Sequence, residues 1–324
     1  MKKKILISIS LTIVVLFGGL FCYTHLVEQR SLTSWIAERY LWVSGTRVTK
    51  GQMTSKHYLS EAQKQSKNYK IPKVTTDQKI ATIKGMRVVT WNDKSNKKQR
   101  VLLYLHGGAY ISEASKIQMA GINNIAKKLN AKVIMPIYPL APRYTYKMAY
   151  SKLGLLYKKT LKTTQNSQKI TLIGDSAGGG LALGFSMYAR DHQLQQPKDI
   201  ILLSPWLDVS MTNPSIKKYE KVDPMLTTWS LRVAGKAWAG SKTAMYKPYV
   251  SPIYGNFKHL GRISIFVGTH EEFLSDNQKL NKILTQEKIS HTYVQADKMN
   301  HVYAVYPTPE AKKAQTRIAK IIKR

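Results

Sequence analysis

Two short motifs carry residues that could do chemistry together. Gly174-Asp175-Ser176-Ala177-Gly178 has the form G-x-S-x-G, and His106-Gly107-Gly108-Ala109 precedes it in the chain. Ser176 lies between an apolar, β-prone run, Ile170-Thr-Leu-Ile173, and a helix-like run, Leu181 to Tyr188. A strand turning into a helix within so few residues puts the serine at the tip of a strained turn. Gly174 and Gly178 lack a Cβ, so strand and helix can close on either side of it. The hydroxyl then sits at a helix N-terminus, where free N–H groups and the dipole favour developing negative charge. That setting suits a serine nucleophile in acyl transfer.

A lone G-x-S-x-G is also found in ordinary glycine-rich loops. A phosphate cradle is disfavoured because no lysine follows in P-loop register. The first motif follows Val101-Leu-Leu-Tyr-Leu105, which reads as a buried strand. Its glycines let backbone N–H groups point into a cavity, as an oxyanion hole requires. His106 is expected to brace that loop and not to act on substrate.

The elements that must position these residues alternate along the chain. Strand-like runs are Met86–Trp91, Val101–Leu105, Lys132–Ile137, Ile170–Ile173, Ile200–Leu203, Ile263–Val267 and His291–Gln295, with helix-like runs between them. This alternation predicts an α/β fold, a mostly parallel sheet with helices on both faces. Ligands bind such sheets beyond the carboxyl ends of the strands, where both motifs fall. Residues 94–100 read as a basic turn, expected to be a hairpin. A chain of 324 residues, 43% hydrophobic, suits one large domain with a lid.

A serine nucleophile needs a base and an acid to orient it. After Arg262-Ile-Ser-Ile-Phe-Val267 come Glu271, Glu272 and Asp276. Glu271 and Glu272 are adjacent, so only one can face the base. Asp276 is expected in the first turn of the next helix, complementing its dipole. Of eight histidines, His301 alone has a suitable place, after the last strand-like run and before Pro307. His270 is expected to be structural. His57, His192, His259 and His291 read as surface or loop positions.

His-Gly-Gly-Ala-Tyr at 106–110, Tyr-Pro-Leu-Ala-Pro at 138–142, Gly-Asp-Ser-Ala-Gly-Gly at 174–179, Ser-Pro-Trp-Leu-Asp at 204–208, Gly-Thr-His-Glu at 268–271 and His-Val-Tyr at 301–303 run in one order. Together they resemble the hormone-sensitive-lipase-like branch of the α/β-hydrolases, a family of carboxylesterases and lipases. The resemblance implies an α/β-hydrolase fold with a helical cap. It implies ester hydrolysis through an acyl-enzyme, with Ser176 as nucleophile, His301 as base and Glu271 as acid. An alternative register selects Glu272. The implied oxyanion donors are the N–H groups of Gly107, Gly108 and Ala177. Two departures are Ala109, where the family has a third glycine, and Arg143, where it often has an acidic residue. No cofactor is required, and a single cysteine without clustered His/Cys spacing gives no metal site.

At the N-terminus Lys2, Lys3 and Lys4 precede the apolar run Ile5–Tyr23. As a helix it would be about 28 Å long, close to the hydrocarbon thickness of a bilayer. The basic end predicts a cytoplasmic N-terminus and an extracellular catalytic domain. Residues 1–27 are therefore expected to form a signal anchor on the cell membrane, and a cleaved signal peptide with secretion is the alternative. Residues 28–72 are expected to form cap helices, and 73–324 the hydrolase domain with a cap insertion at about 206–256. Trp206, Met225, Trp229 and Trp238 could line an apolar substrate site, though for each one packing of cap on core is the expectation. The formal net charge of +33 favours anionic partners. Scattered basic residues without a recognition motif argue against specific nucleic acid. Envelope polymers or lipid headgroups fit better, as partners or as acylated substrates. A non-catalytic surface protein on this scaffold is the contrasting reading.

Overall fold

The computed structural model describes residues 18–324. Eight strands form a single sheet in the order β1-β2-β4-β3-β5-β6-β7-β8. They are β1 (Lys79–Ile83), β2 (Met86–Trp91), β3 (Val101–Leu105), β4 (Lys132–Pro136), β5 (Ile170–Asp175), β6 (Asp199–Leu203), β7 (Arg262–His270) and β8 (His291–Asn300). From β4 through β8 every neighbouring pair is parallel, while β2 runs antiparallel to both β1 and β4. The central strands are apolar at almost every position because helices cover both faces. Leu103 and Leu105 of β3 face one core with Leu172 and Leu202, and Leu102 and Tyr104 face the other with Ile122 and Ile318.

Residues 94–100 do not make a hairpin. β2 pairs with β4, and β3 lies between β4 and β5, so this segment crosses over between non-adjacent strands. β3 is buried along its whole length and takes a central place, where both edges are paired. The hairpin lies earlier, between β1 and β2. Ile83 pairs with Met86 around Lys84 and Gly85, both at positive φ, as a two-residue primed turn demands. β1 is an exposed edge strand without an apolar face, so no periodicity marks it in the sequence.

Two helices precede the sheet, Leu32–Val43 and Ser55–Lys67, with side-chain caps from Ser31 and Thr54. The insertion after β6 carries the helices Ile216–Glu220 and Thr228–Ala239. The two segments meet. The rings of Tyr58 and Trp229 lie 5.7 Å apart, Arg47 donates to Glu220 O at 3.1 Å, and Thr227 donates to Val48 O. The expected anchor, Ile5–Tyr23, lies mostly outside the described residues. Among the described residues no helix is long and apolar enough to cross a membrane.

Candidate active site

The motif residues converge beyond the carboxyl ends of β3, β5, β6, β7 and β8. Ser176 follows β5 directly and caps the helix Ala177–Asp191 with φ 55° and ψ −124°. A non-glycine residue held there stores about 1–3 kcal/mol of strain. The turn persists because its surroundings leave no alternative. Ser176 N–H donates to Leu203 O at 2.8 Å, and Ser176 O accepts from Trp206 N–H at 2.9 Å. A Cβ at Gly178 would stand 2.0 Å from Leu105 O, so only glycine lets this helix start against β3.

Ser176 Oγ lies 2.9 Å from Nε2 of His301, and Nδ1 of His301 is hydrogen-bonded to Oε2 of Glu271. Glu271 Oε1 accepts from Gly268 N–H at 2.7 Å and from Ser204 Oγ at 2.8 Å. Ser204 Oγ in turn accepts from Val302 N–H at 3.0 Å, joining the acid loop to the histidine loop. The Phe273 ring meets the imidazole edge-on at 5.1 Å. Burial alone would lower the pKa of His301. The bond to Glu271 and the charges of Glu271, Asp223 and Asp175 outweigh it, and the net shift is upward from 6.5.

Glu272 points elsewhere. Its side chain is fully buried without a hydrogen-bond partner among the described residues. Desolvation, then the charges of Asp223 and Glu220, push its pKa from 4.5 to about 9. It is therefore a neutral acid near pH 7. Asp276 lies in the first turn of Leu274–Gln286 and accepts from Asn213 Nδ2 at 2.8 Å, away from His301. Of the three acids, only Glu271 reaches the imidazole.

The loop after β3 departs from expectation at one residue. Gly107 N–H donates to Asp175 Oδ1 at 3.2 Å and is occupied within the protein. Among the described residues no acceptor engages the N–H of Gly108, Ala109 or Ala177. Gly108 and Ala109 line the cavity beside Ser176, while Gly107 does not. The free donors are thus those of Gly108, Ala109 and Ala177, and Ala109 takes the place expected for Gly107. Gly108 has φ 117°, and a Cβ there would lie 2.3 Å from Ser112 O. Ala109 accepts its positive φ of 50° with a methyl group.

The family described as having the alpha/beta hydrolase fold matches residues 102–305. This chain belongs to that α/β-hydrolase family. An esterase of Acinetobacter venetianus is 27% identical over 222 residues, spanning 68% of this chain and 73% of that protein. Human hormone-sensitive lipase is 24% identical over 151 residues, 45% of this chain and 14% of that protein. The solved structure of an esterase/lipase from an uncultured bacterium superposes with a TM-score of 0.77 at 26% identity, covering 90% of this chain and 98% of that one. The resemblance to the hormone-sensitive-lipase-like branch is borne out.

In this α/β-hydrolase, a cavity of about 410 Å³ opens onto Ser176 and His301. Thr46 and Tyr58 from the N-terminal segment, Met225, Leu226 and Leu231 from the insertion, and Ile111 and Val305 contribute to its walls. Trp206 and Trp238 do not reach it. They sandwich Tyr110, with centroids 5.5 and 4.2 Å away, and are fully buried as packing. Trp229 stands behind Tyr58. His106 is fully buried, stacked on Tyr138 at 4.4 Å and bonded to Gly107 O at 2.7 Å. Burial lowers its pKa to about 4, so it braces the loop as a neutral ring.

Three positioning residues escaped the sequence reading. Asp175 is fully buried and accepts from Tyr104 Oη at 2.6 Å and Gln118 Nε2 at 2.6 Å, besides Gly107 N–H. Ser204 links acid and base loops. Asp223 accepts from Glu272 N–H at 2.9 Å and from the N–H groups of Met225 and Leu226 at 2.7 and 2.9 Å, pinning the cavity wall to the acid loop. Asp175 and Ser204 lie inside the quoted motifs, which was the available signal. Asp223 had none.

Proposed function

We propose that this protein is an esterase that uses Ser176 as nucleophile and passes through an acyl-enzyme. The observation that carries this reading is the continuous hydrogen-bonded chain from Ser176 through His301 to Glu271. His301 Nε2 takes the hydroxyl proton as Oγ attacks the ester carbonyl, and Glu271 stabilises the imidazolium that forms. The N–H groups of Gly108, Ala109 and Ala177 donate to the tetrahedral oxyanion and stabilise its charge. The imidazolium then protonates the leaving alcohol, and water attacks the acyl-enzyme by the reverse proton path.

The preferred substrates are esters of short to medium acyl chains. The cavity is small, its walls are mainly apolar, and it is bounded by the two cap segments, 28–72 and 206–256. The lysines at 2–4 and the apolar run Ile5–Tyr23 support a membrane-anchored protein with the catalytic domain extracellular.

The test is hydrolysis of p-nitrophenyl esters from acetate to palmitate by the full chain, beside Ser176→Ala. Activity that peaks at short or medium chains and disappears in Ser176→Ala is expected. Equal activity in the serine variant would overturn the reading. A fluorophosphonate should label wild type and not Ser176→Ala.

A further inference from the structure

The helix Leu32–Val43 is inside out. Its buried residues are Ser34, Glu38 and Leu41, and two of these are polar. Ile36, Tyr40 and Val43, spaced four and three apart, form an apolar stripe on the opposite side, exposed by 47%, 66% and 81%. Helices docked on a soluble domain bury the apolar stripe and expose the polar one.

This helix is held by hydrogen bonds instead. Ser31 donates from N–H and Oγ to Glu310 at 2.6 and 2.8 Å, and Ser34 Oγ donates to the same carboxylate. Glu38 is buried against Arg30 and accepts from Nδ1 of His270 at 2.8 Å. Arg30 also donates to Lys298 O at 2.7 Å. So many buried polar bonds fix the helix with its apolar face outward.

Three further observations point to one occupant. Phe21, near the end of the apolar run Ile5–Tyr23, is also exposed, as are Leu26 and Val27 between that run and this helix. Exposed Arg39 and Lys50 supply cations, while the helix's one carboxylate, Glu38, is buried. Thr46, three residues beyond Val43, lines the catalytic cavity. Apolar and aromatic side chains flanked by cations, next to a membrane-directed segment, are the features of a helix lying in a bilayer interface.

We infer that Leu32–Val43 lies in the headgroup region of an anionic bilayer, its Ile36–Tyr40–Val43 stripe among the acyl chains. The cavity mouth then faces the lipid surface. The docking rests on the proposed membrane anchor and not on the esterase reading, whereas delivery of an ester from the bilayer to Ser176 rests on both.

A Tyr40→Trp variant reports the contact, because position 40 lies on the stripe and is exposed. The full chain is reconstituted in vesicles of phosphatidylcholine and phosphatidylglycerol, and the added indole signal is taken as the difference between Tyr40→Trp and wild type. Quenching by lipids brominated near the headgroup end of the acyl chain, with protection from aqueous iodide, is expected. An added signal open to iodide and unquenched by brominated lipid would overturn the inference. So would iodide protection without lipid quenching, which means that a second protein copy covers the stripe.

Ile36→Glu/Tyr40→Glu/Val43→Glu provides the second measurement. These residues lie outside the cavity, so hydrolysis of soluble p-nitrophenyl acetate should stay within about twofold of wild type, while hydrolysis of an ester carried in the vesicles falls about fivefold or more. Equal loss on both substrates would count against interfacial docking. Wild type inactive on both, with the Tyr40→Trp indole still quenched by lipid, would remove the esterase reading and leave the docking intact.

Discussion

At the residue scale the chemistry turns on how one carboxylate differs from its neighbour. Glu271 and Glu272 are consecutive and equally buried, so spacing left both open and only the resemblance through Gly-Thr-His-Glu at 268–271 favoured Glu271. The separation comes from three loops meeting in space, because Gly268 N–H and Ser204 Oγ hold Glu271 toward the imidazole. Glu271→Gln should lower kcat by roughly 10³–10⁴, the cost of losing the charge that fixes tautomer and imidazolium. In the proposed mechanism His301 must be neutral to act as base, and its pKa is raised, so the acid limb of kcat/KM should lie above pH 6.5. Without the Glu271 charge burial gains weight, and the limb should move to lower pH. A pH–rate profile of both proteins reads both effects. Glu272→Gln should keep kcat within about threefold of wild type, since no reacting group touches that residue. Its effect belongs to stability. The unfolded carboxyl ionises above 4.5 while the folded one keeps its proton to about 9, so the native state binds the extra proton and loses stability as pH rises across that interval. The variant should gain on wild type from pH 5 to pH 9, by up to about 5 kcal/mol at the upper end. Urea melts at the two pH values would show it.

At the scale of elements, the strands that carry the site were legible because burial on both faces makes them continuous apolar runs. β3 and β2 were read to the residue, and β5 and β7 were read short because polar ends such as Gly174-Asp175 and Gly268–His270 continue the pairing. β1 was not legible, being an edge strand with no core face, and its pairing rests on the primed turn at Lys84-Gly85. The loop after β3 was expected to supply oxyanion donors, but which of its N–H groups are free was not legible, because a free N–H cannot be told from a bonded one until Asp175 is placed. That placement makes a prediction. Asp175 gathers donors from β3, from the loop after it and from the helix Lys116–Leu129, and so fixes Gly108 and Ala109 relative to Ser176. Asp175→Asn presents an amide N–H₂ where a donor already points, leaving one buried donor unpaired at a cost of about 1–3 kcal/mol. A looser oxyanion loop should lower kcat by about 10²-fold with KM little changed, because the loop is needed mainly as charge develops. Steady-state kinetics beside a thermal melt would separate this from simple unfolding, which lowers the active fraction and leaves the residual activity with its normal pH profile.

At the scale of the whole molecule, the cavity is assembled from parts far apart in sequence. Its floor is the sheet's carboxyl edge, and its walls include Thr46 and Tyr58 from one segment and Met225, Leu226 and Leu231 from the other. The resemblance implied a cap drawn from both regions, and aromatic content drew attention to Trp206 and Trp238. Those two proved to be packing because the aromatic stack Phe273–Trp206–Tyr110–Trp238 lies beneath the cavity and fills the space between insertion and core. Trp229 works differently. It is half-buried against Tyr58, which lines the cavity, so it joins the two walls without touching the reacting atoms. Trp229→Ala removes that ring contact and much of the apolar area joining the helices Ser55–Lys67 and Thr228–Ala239. Loss of an aromatic pair and its burial is worth about 1–3 kcal/mol. The sheet and the bonds around Ser176, His301 and Glu271 do not depend on it, so turnover of p-nitrophenyl acetate should change little. A longer acyl chain must lie along the wall that Tyr58 completes. For butyrate and longer esters KM should therefore rise about threefold to tenfold while kcat holds, and the optimum should shift toward shorter chains. If kcat fell equally for every ester, Trp229 would support the catalytic residues themselves and not the wall.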